Sequence, residues 1–423
     1  MQGYGLSARG AANVDAVWPR ISKAATEREH AEQPCIDLAT SENWLIRKEL
    51  IDFYKKAVQD GLSDRHLSYQ NGLAGDTDLL EALVGFFNSY FRPCIPVTQE
   101  HLSTAPGSTF CLDSLLYNTC EAGDGLLILT PCWSGFDWLV SVKSGVQPVF
   151  VTLNNLEGAL TLEVIPALEA AFSSSPHPVK ALLFTNPNNP IGQCYPVEVI
   201  KDVIRFCNQR KIHLISDEIY ALSSFQNPEL KDPTPFVSIL ELDIKALGCD
   251  PSRVHMIWST SKDLGSSGMR MGCCVTQKNR PLATGLALTS TTQMSCLTAI
   301  ATASLLKSPE LPRLLELNSQ RLADAYQRTT AILKSHGLPY IPVNHGPFVF
   351  FRIDPNAQTS EEEAKIIQKC KQAGVTVSAG RSYHLPEAAK GWARMNFAIA
   401  PGVLDEALGR FCSGLECREL NSS

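Results

Sequence analysis

The sequence has few of the patterns that would assign it to a membrane or secreted class. Its 423 residues contain no apolar window near the ~18 residues that a membrane span requires. The first twenty residues also lack the continuous apolar core of a secretory signal. We therefore expect a cytoplasmic protein without a membrane partner.

Long runs of one charge are absent too. The chain has 43 acidic and 37 basic residues and a formal net charge of −6, with the two signs interspersed. A nucleic acid or an anionic surface attracts proteins that carry a concentrated positive charge. We therefore expect no nucleic-acid partner.

The 14 cysteines include no CxxC pair, which is the commonest signature of a zinc cage or of a redox motif. Cys273 and Cys274 are adjacent, and other cysteines lie inside apolar runs such as "IRFCNQ" and "GRFCSG". Reduced thiols in the core are the better interpretation. No metal site is predicted.

Between residues 125 and 276, short apolar runs alternate with helical patterns. Six runs have the length and composition of strands: "LLILT", "PVFVTL", "ALLFTN", "HLISDE", "MIWSTS" and "MRMGCCVT". The segment "PVEVIKDVIRFCNQRK" repeats apolar residues at helical spacing. The alternation predicts an α/β fold with a mostly parallel sheet between helices, in which chemistry gathers at the carboxyl ends of strands.

Helical patterns flank this region, and a second unit comes after it. "TDLLEALVGFFNSYF" and "STFCLDSLLYNTC", the latter opened by Ser108 or Thr109, read as helices, as does the segment from Pro309 to His336. "FVFFRID" and "ARMNFAIA" then have the character of strands. We expect a large domain over residues 48–300, and a smaller α+β domain from residues 1–47 with 301–423.

The stretch "STSKDLGSSGMRMG" sets one lysine between hydroxyl groups and a glycine-rich turn. Lys262 follows a buried strand, where loss of water and nearby positive charge favour the neutral amine that forms a Schiff base. Ser259, Ser261 and Arg270 add donors suited to a phosphate. The alternative is an ordinary solvated lysine.

A second anion site is indicated by "APGSTF". Gly107, Ser108 and Thr109 lie where a loop enters a helix, and their amides and hydroxyls can bind an anionic group. The motif is weak by itself, because small residues are common at helix starts.

Two further motifs fit a planar cofactor. In "ISDEIY", Asp217 ends a strand and can keep a pyridine nitrogen protonated, with Tyr220 three residues later. The alternative is a helix cap with a packed tyrosine. In "TNPNNPIG", Asn189 lies in a turn stiffened by Pro187 and Pro190 and can donate to an oxygen.

These motifs, together with "ARMNFA" and in this order, resemble the pyridoxal-phosphate enzymes of fold type I, class I/II aminotransferase group. Within it, "LATSENWLI" and "GFD" look most similar to the 1-aminocyclopropane-1-carboxylate synthase branch. The resemblance spans residues 36–411. It implies a seven-stranded sheet, bound pyridoxal 5′-phosphate and a homodimer with shared active sites.

The resemblance also implies a role for each matching residue. Lys262 would bind the cofactor and move the substrate's α-proton, and Asp217 would pair with the pyridine nitrogen. The other contacts would come from Asn189 and Tyr220 at the phenolic oxygen, from Gly107, Ser108, Thr109, Ser259, Ser261 and Arg270 around the phosphate, from Trp133 over the ring, from Tyr69 of the second subunit, and, for the substrate, from Arg394, Glu42, Asn189 and Trp133.

The sequence departs from the synthase branch at two places. Plant synthases have the run Tyr-Tyr-Pro-Gly where this chain has Cys132-Trp133-Ser134-Gly135. In the turn after the lysine, they have Leu-Pro where this chain has Ser266-Ser267. The ring-stacking residue is therefore of the aminotransferase kind.

The resemblance implies an enzyme that removes the α-proton of an amino acid and then eliminates or substitutes at the β or γ carbon. Relatives of this branch in fungi include carbon–sulfur lyases and enzymes of secondary metabolism. Plain transamination is the first alternative, because it needs the same lysine, aspartate and arginine. A non-catalytic homologue that binds the cofactor is the second.

Overall fold

A computed structural model describes residues 5–29, 34–386 and 389–416. Within them the chain forms thirteen α-helices and thirteen β-strands. The helices are α1 (Ala8–Glu29), α2 (Arg47–Gly61), α3 (Thr77–Tyr90), α4 (Ser108–Thr119), α5 (Phe136–Val142), α6 (Val164–Ser174), α7 (Val197–Arg210), α8 (Thr260–Asp263), α9 (Arg280–Ser290), α10 (Cys296–Leu306), α11 (Leu311–Ser335), α12 (Ser360–Gln372) and α13 (Pro401–Glu416). The strands are β1 (Ile36–Asp37), β2 (Leu102–Ala105), β3 (Gly125–Leu129), β4 (Gln147–Val151), β5 (Val179–Thr185), β6 (His213–Asp217), β7 (Val254–Ser259), β8 (Gly272–Val275), β9 (Tyr340–Ile341), β10 (Phe348–Arg352), β11 (Val375–Thr376), β12 (Ser378–Ala379) and β13 (Trp392–Asn396).

The main sheet has seven strands in the order β2-β8-β7-β6-β5-β3-β4. Strand β8 runs antiparallel to both of its neighbours, and the remaining pairs are parallel. The mostly parallel sheet and all six strands predicted from apolar runs are confirmed. The seventh strand, β2, carries Ser103 and Thr104 and so lacks an apolar pattern, although all four of its residues are buried.

Alternation along the central strand β5 divides the core of the sheet between its two faces. Leu182 and Phe184 lie in one apolar cluster, together with buried residues of α3, α6, α7 and α10. Ala181 and Leu183 point the other way, into a cluster built from α4, α5 and α9. Both faces of the sheet are therefore covered by helices, as parallel strands require.

A second unit contains the four-stranded antiparallel sheet β12-β13-β10-β9 and the parallel pair β1-β11. Its core joins Leu38, Leu45 and Phe225 to residues between Leu322 and Leu415. The N-terminal strand thus pairs with the C-terminal part of the chain. The predicted boundaries, 48–300 for the large domain and 1–47 with 301–423 for the small one, stay a prediction.

No described helix has the length and apolar character needed to cross a membrane. The thirteen described cysteines form no disulfide, and eight of them are buried. Among the described residues, no cluster of three or more histidine, cysteine or acidic side chains has a geometry for holding a metal ion.

The topology places the predicted site residues at one edge of the main sheet. Strands β5, β6 and β7 are parallel neighbours, and Thr185 pairs with Asp217, which in turn pairs with Ile257. The backbone N–H of Asn186 donates to the carbonyl of Asp217 at 3.0 Å. The loop after β5, the end of β6 and the helix after β7 therefore meet at the carboxyl edge.

Gly272, at the start of β8, lies against the backbone that leads into α4. A Cβ atom there would fall 2.4 Å from the carbonyl carbon of Gly107 and 2.7 Å from the amide nitrogen of Ser108. Backbone atoms cannot move aside as a flexible side chain can. Glycine at this position is therefore required by the close approach of the two segments.

We expect Gly272→Ala to lower the free energy of unfolding by about 1–3 kcal/mol, which is the usual cost of overpacking. Gly268→Ala is the matched control, because a Cβ atom at Gly268 has no neighbour within 4 Å. Denaturant-induced unfolding of both variants measures the difference. Equal stabilities would contradict the close approach.

Candidate active site

Lys262 lies on the four-residue helix α8, directly after β7. The helix begins because Ser259, its N-cap, accepts a hydrogen bond from the backbone N–H of Ser261 at 3.4 Å. The Lys262 Nζ donates to the carbonyl of Ser41. Burial, helped by the charge of Arg394, lowers the pKa of Lys262 from 10.5 to about 8. The lysine is half-buried and bonded inside the fold, so the alternative of a solvated surface lysine is wrong.

Asp217 carries an unsatisfied acceptor at the end of β6. Its side chain is buried, and no donor among the described residues reaches its Oδ1 atom. Burial raises its pKa from 3.8 to about 7, against the opposing effects of the Ile219 backbone N–H and the charge of Lys262. No α-helix begins at Asp217, so the alternative of a helix cap is wrong. A buried carboxylate oxygen without a partner requires an explanation, and a bound ligand that carries an N–H group would supply one.

Arg394, on β13, is almost completely buried beside this carboxylate edge. Its Nη1 donates to the Oδ1 of Asn189 at 2.8 Å, and its Nη2 donates to the carbonyl of Ala39 at 2.6 Å. The rings of Phe348 and Tyr383 lie with their centroids 4.9 and 5.2 Å from its Cζ atom. These contacts fix the plane of a guanidinium whose Nε has no partner among the described residues.

Tyr220 and Asn189 both interact with this arginine. Burial raises the pKa of Tyr220, whose ring packs edge to face against Phe348 with centroids 5.3 Å apart. The charge of Arg394 opposes that rise. Asn189 belongs to the loop after β5, and its contact with Arg394 uses the amide oxygen, which leaves the amide N–H groups for another acceptor.

The start of α4 presents backbone N–H groups that could bind an anion, and we call this place the cradle. The helix begins at Ser108 and its N-cap is Gly107, with φ of 90° and no side-chain cap. Uncapped N–H groups at the end of a twelve-residue helix attract negative charge. The Nη2 of Arg270 donates to the carbonyl of Pro106 at 3.0 Å, and a Cβ atom on Gly107 would fall 2.3 Å from it. Ser259 lies close by, because Gly272 pairs with both Ser259 and Ala105.

Residues 39–47 cross the site as a segment that we call the strap. Within it, the Oε2 of Glu42 accepts from the Trp44 Nε1 and the Arg47 Nη2, each at 2.9 Å, and its Oε1 accepts from the Ser267 hydroxyl at 2.6 Å. Burial alone would raise the pKa of Glu42, but the bonds from Ser267 and Trp44 and the charge of Arg47 outweigh it and lower the pKa. Glu42 therefore stays ionised.

Two predicted residues lie further out. Trp133 is 38% exposed and packs edge to face on Phe136, with centroids 5.4 Å apart. Its loop borders the site, because the backbone N–H of Cys132 donates to the carbonyl of Tyr383 at 3.1 Å. Tyr69 is 86% exposed, and within one chain the structure does not bring it to Lys262.

Sequence reasoning missed several groups that shape the site. The carbonyl of Ala39 accepts from Arg394, and the carbonyl of Ser41 accepts from Lys262. A pattern of side chains in the sequence cannot predict which backbone carbonyls take part. Asn318, on α11, holds Asn43 of the strap at 2.8 Å and gave no signal. Phe348 gave a weak signal in the sequence, because it begins the apolar run "FVFFRID". That run forms the strand that pairs with the strand of Arg394.

Comparison with known proteins points in one direction. The family model for aminotransferase class I and II matches residues 33–411. The chain is 53% identical over 408 residues to the probable aminotransferase aclI of Aspergillus oryzae, covering 96% of this chain and 97% of that protein. It is 33% identical to the trimodular acetylaranotin synthesis protein ataIMG of Aspergillus terreus, covering 86% of this chain and 36% of that protein.

Two more distant likenesses complete the comparison. 1-Aminocyclopropane-1-carboxylate synthase 6 of Arabidopsis thaliana is 29% identical, with 81% of this chain and 69% of that protein covered. A single mutant of Thermus thermophilus aspartate aminotransferase superposes with a TM-score of 0.76 at 23% identity, over 97% of this chain and 99% of that one. The structural likeness establishes the fold.

In the cofactor-free protein we expect Lys262 to become reactive toward an amine-modifying reagent at a pH well below that of ordinary lysines. Because burial lowers its pKa to about 8, the neutral form appears as the pH rises through that value and not through 10.5. Competitive labelling over a pH series, read by peptide mass spectrometry, measures the midpoint. The exposed Lys56 controls for the reagent. A midpoint near 10.5 would contradict the burial argument.

Proposed function

We propose a reaction for this chain on the premise that it belongs to the aminotransferase class I and II family and is an enzyme that uses pyridoxal phosphate. The proposed reaction removes the α-proton of an amino-acid derivative and then eliminates or substitutes a group at its β or γ carbon. The observation that carries the proposal is the ionised Glu42 beside Lys262, whose pKa it raises.

Three features of the site fit pyridoxal phosphate. The unpaired Oδ1 of Asp217 calls for an N–H donor such as a protonated pyridine nitrogen. The uncapped start of α4, with Arg270 beside it, calls for a phosphate. The readily neutralised amine of Lys262 calls for a carbonyl carbon. When bound, the cofactor supplies an electron sink for the carbon from which the proton is removed.

Further residues of this chain support that placement. Asn189, oriented by Arg394, and Tyr220 would donate to the phenolic oxygen. Trp133 would cover one face of the ring from its loop after β3. Around the phosphate we assign the following groups: Arg270, the amides and hydroxyls of Ser108 and Thr109, the amide of Gly107, and the hydroxyls of Ser259 and Ser261.

On the substrate side, Arg394 would bind the α-carboxylate in a forked pair. Phe348 and Tyr383 hold its plane and exclude water from the pair. Lys262 would take the proton from the α-carbon, and a pKa near 8 lets it release that proton again to a leaving group. The same lysine therefore serves as base and acid.

Glu42 favours a particular class of substrate. A fixed negative charge beside Lys262 repels a second carboxylate, so amino acids with acidic side chains fit poorly. A neutral, sulfur-bearing or cationic side chain has no such penalty. The relative named as 1-aminocyclopropane-1-carboxylate synthase supports a fate other than transamination, and the acetylaranotin synthesis protein supports secondary metabolism.

Transamination is the second candidate. It is favoured by the name of the relative that is 53% identical, a probable aminotransferase. Lys262, Asp217 and Arg394 would play the same parts in it, but the proton would return to a different carbon. The two fates differ in their products, not in these three residues.

We expect S-substituted cysteines to yield a thiol, ammonia and pyruvate in equal amounts, because elimination needs no second substrate. Lys262→Ala should abolish all three products, since no other described amine replaces the base. Parallel assays of thiol, ammonia and keto acid, with S-substituted homocysteines as the γ arm, measure this. Turnover that requires an added keto acid and releases no ammonia would establish transamination instead.

We further propose a homodimer that completes the site. Tyr69 and its neighbour Leu67 are 86% and 84% exposed, and Leu297 is 45% exposed. The Nε2 of Gln70 donates to the carbonyl of Met294 at 3.1 Å, which holds the Tyr69 segment beside the turn before α10. Exposed apolar side chains on one surface favour burial by a second copy. Tyr69 would then reach the phosphate of the other chain.

Mixing an inactive Tyr69→Ala chain with an inactive Lys262→Ala chain, under subunit exchange, should restore roughly a quarter of wild-type activity by random pairing. One site of each mixed dimer is then intact. The control mixes Asp217→Asn with Lys262→Ala, which damages both sites of a mixed dimer and should restore nothing. Heterodimers without recovered activity in the first mixture would contradict a role for Tyr69 across the interface.

A further inference from the structure

The strap accepts hydrogen bonds from Arg394 and Lys262, the two residues that we propose to act on the substrate. Its Ala39 carbonyl accepts from Arg394, and its Ser41 carbonyl accepts from Lys262. The Nδ2 of Asn396 donates to the carbonyl of Glu42 at 2.9 Å. The position of the strap therefore affects both cations that would face the substrate.

On its other side the strap is bonded to the turn that carries Arg270. Ser267 uses two atoms for this: its hydroxyl donates to the Oε1 of Glu42 at 2.6 Å, and its carbonyl accepts from the Nη1 of Arg270 at 2.6 Å. The Nη2 of Arg270 continues to the Pro106 carbonyl at the start of the cradle. One serine thus joins the strap to the phosphate cradle.

Both ends of this connection are stiff. Glu42 is fixed by Trp44 and Arg47, and the Cζ of Arg47 lies 4.3 Å from the centroid of the Trp44 ring. At the other end, Arg270 has a left-handed backbone with φ of 55°. A non-glycine residue keeps a left-handed backbone only where its surroundings hold it there, so we expect a shift at one end to reach the other through Ser267.

The neighbouring serine has a different task. The hydroxyl of Ser266 hydrogen-bonds the Tyr54 hydroxyl at 2.8 Å and the carbonyl of Leu264 at 2.8 Å, and reaches no atom of the strap. The Ser266 hydroxyl therefore stabilises the turn, whereas the Ser267 hydroxyl connects the turn to the strap.

We propose that Ser267 is a positioning residue that couples occupancy of the phosphate cradle to closure of the strap. An anion bound by Arg270 holds the turn, the turn holds Glu42 through the Ser267 hydroxyl, and the strap then orients Arg394 and Lys262. The coupling rests on the proposed role of Arg270 and the start of α4 in binding phosphate. It prepares the substrate side before a substrate arrives.

Hydrogen–deuterium exchange of the cofactor-free full chain tests the coupling, with inorganic phosphate as the probe, because phosphate cannot react with Lys262. Peptides covering residues 107–116 report the cradle and those covering residues 36–47 report the strap. In the wild type we expect phosphate to slow exchange in both. In Ser267→Ala we expect phosphate still to slow exchange in the cradle. The slowing of exchange that phosphate causes in the strap should fall about tenfold, as loss of a charge-assisted hydrogen bond implies.

Three variants sharpen the result. Ser267→Thr keeps the hydroxyl and should restore strap protection. Ser266→Ala removes the neighbouring hydroxyl and should leave the response of the strap to phosphate unchanged. Glu42→Gln keeps the shape of the side chain but loses its charge, so it should weaken the protection of the strap as Ser267→Ala does. If circular dichroism shows that Ser267→Ala does not fold, Glu42→Gln still tests the coupling.

The outcomes distinguish the coupling from the site on which it rests. Strap protection that is undiminished in both Ser267→Ala and Glu42→Gln overturns the coupling and leaves the cradle intact. Absence of protection over residues 107–116 in the wild type overturns the proposed cradle and the coupling with it. A pyridoxal-phosphate titration of each variant, followed by absorbance, provides an independent measure, in which Ser267→Ala should bind more weakly than Ser266→Ala.

Discussion

Burial of opposite charges at one edge of the main sheet is the constraint on which the rest of the site depends. Asp217 ends one strand and Lys262 follows its parallel neighbour, so the backbone takes a carboxylate and an amine out of water together. Burial raises the pKa of Asp217 to about 7 and lowers that of Lys262 to about 8. Both groups are thereby poised near neutrality, and the charges of Arg394 and Glu42 adjust the balance.

The two arginines of the site keep their positive charge available for ligands. Among the described residues, neither Arg394 nor Arg270 pairs with a carboxylate; their partners are carbonyls and an amide oxygen. Elsewhere in the chain, arginines such as Arg47 and Arg321 pair with glutamates. Neutral acceptors orient a guanidinium without neutralising it, which leaves an anion as its best further partner.

The reaction is decided beyond these charges. In the roles that we propose, Lys262, Asp217 and Arg394 would serve every reaction that starts with loss of an α-proton, and they would not determine which bond of the substrate breaks next. The strap differs, because it sets an ionised Glu42 beside the lysine and is bonded to a serine of the turn after α8. On our proposals, substrate choice and the order of assembly would depend on contacts such as that between Glu42 and Ser267, which lie 225 residues apart in the chain.

The sequence by itself determined the parts whose physics is local. Apolar runs predicted six strands of the main sheet. Lys262 and Asp217 were predicted as site residues from their positions at the carboxyl ends of those strands, because parallel strands expose these ends together. The strand β2 escaped notice, since its buried Ser103 and Thr104 have no apolar pattern. Only the tertiary structure decided which carbonyls hold Lys262 and Arg394 and that Ser267 rather than Ser266 reaches Glu42. It also decided that the Oδ1 atom of Asp217 has no donor among the described residues. The physical reason is that hydrogen bonding and desolvation depend on distances between remote segments, which no local pattern encodes.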